Sequence, residues 1–329
     1  VDKEEIMKKM VIAFMSFFIL IIIMIVMVMC FKTESIIKNE DKIQIVATLF
    51  PQYDFAKQIG GDKIDVKLLL NSGVETHNYE PTAKDMVTIL NNSDIFLYTG
   101  TDLEPWTEKI VSSLNGSECI PVDISKGIEL ITIEEFEENH MNSEIIFEEH
   151  EDHNHDEEIY DEHIWLNPKN AITMIDNILE EICKIDSENS SYYKENAENY
   201  KKKILNIDEN LKEIIDNSER KEIAVGGEFA YAYLVNEYKL NFVSVYNNCG
   251  EGEDPSITKV KSVIDYINNY NMPVVYYEEL SEGTVAKMIA EETNAEALVL
   301  YSIHNGNPEE DTYVSLMNKN LENLEKGLK

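Results

Sequence analysis

Cysteine is scarce in this sequence, and positive charge is far outnumbered by negative. Only four of its 329 residues are cysteines, Cys30, Cys119, Cys183 and Cys249, and no two form a CxxC pair. A disulfide-stapled scaffold is therefore excluded, and a thiolate zinc site is disfavoured. Cys30 closes an apolar run, which leaves three cysteines for the folded part, an odd number that cannot all pair with one another. The sequence leaves their redox state open. Lysine and arginine number 28 against 63 acidic residues, a net charge of −35. Such a chain repels phosphate backbones and anionic membrane surfaces, which excludes nucleic-acid binding, and it draws cations. The HExxH, GxSxG and P-loop patterns are absent as well, so no familiar hydrolytic or nucleotide-binding chemistry is signposted.

What is present starts with a hydrophobic segment. Lys8 and Lys9 precede an almost unbroken apolar run over 11–30 (VIAFMSFFILIIIMIVMVMC), which as a helix would reach about 30 Å. Basic residues before the run and a strongly acidic chain after it place the remainder outside the cytoplasm. Residues 1–30 are expected to be a signal or anchor, and 31–40 a linker. Cys30 is a lipidation candidate of the lipoprotein type, although Met29 stands where a small residue is usual. An uncleaved single helix and a cleaved signal are the alternatives. The expected location is the outer face of the cell membrane, tethered through this end.

From 41 onward, short β-branched runs alternate with amphipathic helical stretches. Strands are expected at 42–48, 63–70, 94–99 and 118–122, with helices at 51–59, 82–90 and 104–114 between them. Two long helices, 168–185 and 190–217, interrupt the pattern. It resumes with strands at 221–225, 240–246, 273–277 and 297–301 and helices starting near Glu228, Ser256, Glu282 and Glu309. The expected fold is α/β, with two lobes, each a parallel sheet flanked by helices, joined by a long backbone helix with a cleft between them. The boundaries read 41–133 for the first lobe, 134–162 for an acidic loop, 163–187 for the loop and linking helix, and 188–329 for the second lobe.

In open parallel sheets, ligands bind beyond the carboxyl ends of the strands. His77 lies in the loop after the strand at 63–70, Glu228 directly after the strand at 221–225, and His304 after the strand at 297–301, while His163 stands at the junction of the lobes. A loop histidine is ordinarily just solvated, and a carboxylate opening a helix is favoured by the dipole alone. Brought together, two imidazoles and a carboxylate suit zinc, and leave manganese or iron open. Residues 134–163 hold fourteen acidic residues, no basic ones and five of the seven histidines. That charge density predicts a mobile loop, and His140, His150, His153 and His155 are expected to capture metal transiently.

Taken together, these residues resemble the zinc and manganese solute-binding receptors of bacterial ABC importers, from about residue 42 to the C-terminus. SGVETHNYEPTAKD (72–85) is similar to that family's loop with the first metal histidine, DEHIWLNP (161–168) to its DPHxWLxP motif with the second, and FAYAYLVNEYKL (229–240) to the segment that begins at its third ligand. An acidic, histidine-rich insert before the second motif marks the zinc branch.

The resemblance implies His77, His163 and Glu228 as ligands. Glu228 stands where zinc receptors usually carry histidine and manganese receptors glutamate. At the fourth position, where the family often has aspartate, a gap-free reading places Tyr301. His304 three residues on is the preferred candidate, with water the alternative. GTDLEPW (100–106) also fits the family, its Trp106 read as packing. The implied function is capture of Zn2+ as transported cargo by a monomer that delivers it to a permease driven by a cytoplasmic ATPase, with no reaction on the chain. A manganese receptor of the same architecture is the nearest rival. A secreted zinc hydrolase and a surface adhesin are the others.

Overall fold

The computed structural model describes residues 42–70, 79, 81–100, 104–140, 159–246 and 255–329, along with positions 7, 10, 14, 15 and 17; of 137–140 it describes the backbone only. His77, His150, His153, His155, Cys30, Cys249 and nearly all of the apolar run at 11–30 lie outside these residues. Among the described residues no helix is long and apolar enough to cross a membrane.

Two four-stranded parallel sheets form the framework. The first contains β1 (Ile43–Ala47), β2 (Ile64–Leu68), β3 (Ile95–Tyr98) and β4 (Ile120–Asp123), in the order β2-β1-β3-β4. The second repeats that order with β5 (Glu222–Val225), β6 (Asn241–Ser244), β7 (Val274–Tyr277) and β8 (Glu296–Val299), arranged β6-β5-β7-β8. Parallel strands need crossovers, and the helices provide them. In the first lobe these are α1 (Phe50–Gly60), α2 (Ala83–Asn92) and α3 (Thr107–Ser113). After α4 (Ile133–His140), the long helices α5 (Pro168–Ile185) and α6 (Ser190–Asp216) follow, and the second lobe adds α7 (Ala232–Tyr238), α8 (Ile257–Tyr270), α9 (Thr284–Glu292) and α10 (Tyr313–Leu328). The α/β architecture read from the sequence is the one observed.

Strand alternation divides the burial. Ile95 and Leu97 face a large core shared by both lobes, whereas Phe96 and Tyr98 face a smaller cluster with Ile89, Ile110 and Leu114. In the second sheet Ile223 and Val225 join the shared core, and Ala224 packs with Val243, Val275 and Ile289 on the other side. Burial on both faces is why these strands read as apolar runs rather than as alternating patterns.

Helix α5 begins where a helix should. Asn167 caps it by accepting from the Lys169 N–H at 2.9 Å, and Pro168 occupies the first turn. Its inward stripe, Ala171, Met174, Ile175, Ile178 and Ile182, is fully buried. Helix α6, 27 residues long, spans about 40 Å and packs against α5, α1 and α10. One buried carboxylate ties these helices together: Asp54 of α1 accepts from the Tyr200 hydroxyl of α6 and from the Tyr313 N–H of α10 at 3.0 Å.

Three local expectations need correction. The start of the acidic segment is not a loop, because Ile133–His140 is helical. Phe136 is the reason: its ring stacks on Phe229 and Phe242 at centroid distances of 5.8 and 5.5 Å, so one aromatic anchors an otherwise acidic helix. Glu228 does not open a helix, since α7 starts at Ala232. The intervening Phe229, Ala230 and Tyr231 are pulled into the core, with Phe229 against Phe242 at 4.2 Å and the Tyr231 hydroxyl donating to the Leu300 carbonyl. The last helix likewise starts at Tyr313 rather than near Glu309, capped by Thr312 accepting from the Ser315 N–H at 3.0 Å.

Candidate metal centre

The junction between the lobes presents its side chains with little freedom. His163 precedes a single 3-10 turn, Ile164–Leu166, that leads into the α5 cap. It is 2 % exposed. Asp161 fixes it twice, accepting from the His163 N–H at 2.9 Å and lying 3.1 Å from its Nδ1 through the same oxygen. A carboxylate at Nδ1 orients an imidazole so that Nε2 is its outward donor atom, the usual arrangement behind a metal-binding histidine.

His304 reaches the same place from the second lobe. The chain leaves β8 at Val299, and the backbone of Tyr301 is then gripped by Asn320 of α10, whose Oδ1 accepts from the Tyr301 N–H at 2.7 Å while its Nδ2 donates to the Tyr301 carbonyl at 2.9 Å. This turns the chain out of the sheet. The His304 carbonyl accepts from the Phe50 N–H, at the start of α1, at 3.3 Å, so the loop also meets the first lobe. The ring of His304 lies 4.3 Å from that of His163, at 72°. Trp165, fully buried, backs both rings at 5.3 and 5.7 Å and donates from Nε1 to the Ser302 carbonyl at 2.7 Å.

Glu162 completes the group. Its Oε1 lies 2.8 Å from His304 Nε2, and one donor atom each of Glu162, His163 and His304 all fall within 4.8 Å of one another. Imidazole nitrogen and carboxylate oxygen are the donor types that bind zinc at about 2.0–2.2 Å.

The surroundings add negative charge. Glu279, just past β7, is half-buried, and desolvation raises its pKa against hydrogen bonds from Ser302 and Ile303. Burial likewise raises the pKa of Glu278, with the charge of Glu228 adding to it, and Glu278 accepts from the Glu228 N–H at 3.1 Å. Gly227 makes that approach possible, because a Cβ there would sit 2.2 Å from the Glu278 Oε2. Burial works to lower the pKa of His163, yet the charge and hydrogen bond of Asp161, with Glu162 and Glu279 beyond, more than offset it and the value is raised. The carboxylates among these described contacts make a site that suits a divalent cation.

Of the ligands expected from the sequence, the structure brings His163 and His304 together. Glu228 is half-buried beside Glu278 and stands outside the close group. His77 lies outside the described residues, and of His140 only the backbone, ending α4, is described. Tyr301 has its ring under Lys319 Nζ at 5.2 Å. Trp106 packs edge-on against Tyr79 at 5.2 Å. Sequence reasoning missed Glu162, although a signal was there: a carboxylate directly before His163, where the DPHxWLxP motif has a proline without a donor side chain.

Comparisons with known proteins give the chain a family. Residues 45–327 match the model of the family described as ZnuA, zinc-uptake complex component A, periplasmic. The high-affinity zinc uptake system protein ZnuA of Bacillus subtilis is 31 % identical over 292 residues, covering 88 % of each chain. The crystal structure of the metal-dependent lipoprotein YcdH from the same organism superposes with a TM-score of 0.71 at 31 % identity, over 87 % of this chain and 99 % of that one. The Zn(II)-bound ZnuA-like domain of Streptococcus pneumoniae AdcA gives a TM-score of 0.70 at 25 % identity, over 87 % and 99 %. Against the complete AdcA of Streptococcus pyogenes the chain spans 56 % of the relative's length. The chain belongs to the ZnuA family, component A of periplasmic zinc uptake.

Proposed function

We propose that this chain captures Zn2+ as cargo between its two lobes and hands it to the permease of an ABC importer driven by a cytoplasmic ATPase. The observation that supports this most is the grouping of Glu162, His163 and His304, whose donor atoms lie within 4.8 Å of one another. Imidazole and carboxylate donors in this number replace part of the hydration shell of a borderline ion. His77, implied by the family loop after β2, supplies the fourth donor. Glu228 is the alternative carboxylate to Glu162, and single alanine substitutions of the two assign the ligand.

The chain carries no reaction of its own. With His77 as the fourth donor the shell is closed, leaving no open position that would activate water. It acts as a monomer on the outer face of the membrane, tethered through the segment at 1–30, with Cys30 the residue that would carry lipid. His150, His153 and His155, with His140, form a capture tract that raises the local metal concentration at the cleft.

Titration of the metal-stripped full chain in detergent with zinc and manganese in direct competition tests this reading. Zinc is expected to win, and His163→Ala to weaken it by more than about 100-fold, beyond the range seen for residues that only support a ligand. Equal affinities would favour the manganese reading, which the carboxylates Glu162 and Glu228 support. Zinc binding indifferent to His163→Ala would end both.

A further inference from the structure

His304 is delivered by a backbone conformation that its neighbour should resist. Ile303 has φ of +63°, in the left-handed region where a β-branched side chain is crowded against the backbone. The other described non-glycine residues with positive φ, Lys239 and Asn271, cap the ends of α7 and α8, where that conformation is routine. Ile303 ends no helix, and its fully buried side chain fixes it in place. Strain of this kind persists only where surrounding contacts impose it.

Those contacts come from one carboxylate. Glu279 Oε2 accepts from the Ser302 N–H at 2.7 Å, and its Oε1 accepts from the Ile303 N–H at 2.9 Å and from the Ser302 hydroxyl at 3.1 Å. Two consecutive peptide N–H groups are thereby turned toward a single side chain, which the extended chain leaving β8 would not allow. Glu279 itself follows β7, an interior strand of its sheet, so the clamp is anchored on a rigid element. Ser302 Oγ also lies 3.0 Å from His304 Nδ1. With its hydroxyl hydrogen committed to Glu279, that oxygen accepts from Nδ1–H, which leaves Nε2, 2.8 Å from Glu162 Oε1, as the atom that an ion would take in place of a proton.

We propose that Glu279 is a positioning residue for metal capture: it holds Ile303 in the left-handed conformation and thereby sets the place and tautomer of His304. The inference rests on the reading of His304 as a ligand. Glu279 touches the ion at no point in this role; it acts through the loop.

Zinc affinity of the full chain in detergent, measured by competition with a chromophoric chelator, tests it in four variants, with near-ultraviolet circular dichroism confirming the fold of each. Glu279→Ala is expected to weaken zinc by about 10- to 100-fold, the range for residues that support a ligand. Glu279→Gln, which keeps one accepting oxygen, is expected to fall between the parent and the alanine variant. Adding Ile303→Gly to Glu279→Ala should recover much of the loss, because glycine adopts φ near +60° without a clamp. If Glu279→Ala does not fold, Glu279→Gln with and without Ile303→Gly carries the same comparison. Parent-like affinity in Glu279→Ala overturns the proposal. So does equal weakening by alanine and glutamine with no recovery by glycine, which would assign the effect to charge alone. His304→Ala separates the two levels: unchanged affinity there sinks the site itself, whereas weakening there with none in Glu279→Ala sinks only the clamp.

Discussion

Glu104 offers the sharpest test of the electrostatics around the cleft. It follows β3, is 3 % exposed, and has no positive partner among its described contacts. Its Oε2 accepts from the Thr99 N–H, from the Thr48 hydroxyl at 3.0 Å and from Gln52 Nε2 at 3.4 Å, while its buried Oε1 has no hydrogen-bond partner. Burial is the dominant influence and outweighs those donors, with the charge of Glu162 adding to it, so the pKa rises from 4.5 to about 7. A carboxyl whose pKa is higher folded than unfolded stabilises the fold fully below the unfolded value and loses that contribution as pH rises through the folded one. Between pH 4.5 and 7 the protein should therefore lose about 3 kcal/mol through this group. Urea denaturation of the metal-free protein and of Glu104→Gln across pH 4.5 to 8 measures it. The difference between the two is expected to move against the parent by about that amount as pH rises, then level off. Parallel stability curves would show that Glu104 does not titrate in this window and would refute the reasoning.

Three further outcomes follow from the packing and the site. Asp161→Ala removes the carboxylate behind His163 and should weaken zinc by about 10- to 100-fold with little change in the unfolding midpoint; an unchanged affinity would mean that the imidazole is oriented by something else. Tyr200→Phe strips the hydroxyl from buried Asp54, at an expected cost of about 1 to 3 kcal/mol in denaturant unfolding, and a loss below about 0.5 kcal/mol, ordinary for surface positions, would contradict the role given to this contact. Phe136→Ala removes the ring that holds α4 on Phe229 and Phe242; it should cost about 3 kcal/mol and speed amide exchange across 133–140, whereas unchanged exchange there would mean that the helix does not depend on its one aromatic.

The fold was legible because its signals are local. Apolar runs such as IQIVA in β1 and VVYY in β7 are buried on both faces, and the stripe of α5 repeats at helical spacing with a cap and a proline at its start. The same locality misled at α4, where counting charge over 134–163 concealed the single residue, Phe136, whose burial decides the conformation. Glu228 reads as a helix start because it directly follows a strand in the alternating pattern; the core's demand for Phe229 and Tyr231 is not visible in the string. His163 and His304 could be singled out, one by its motif and the other by its place after a strand. Glu162 carried only the weaker signal of its place beside His163 in the motif, because its partner His304 is 142 positions away and comes from the other lobe. Glu279 was hidden for a related reason: its role is to hold backbone N–H groups, and backbone geometry leaves no composition signal beyond the glycines and prolines that Ile303 is not.

The central claim is that zinc sits on Glu162, His163 and His304, and X-ray absorption at the zinc edge of the loaded full chain tests it most directly. The expected spectrum shows only nitrogen and oxygen at about 2.0–2.2 Å, with the outer-shell scattering of at least two imidazoles, one of which disappears in His304→Ala. A sulfur shell near 2.3 Å, or imidazole scattering that His163→Ala and His304→Ala both leave intact, would place the ion elsewhere and contradict the account.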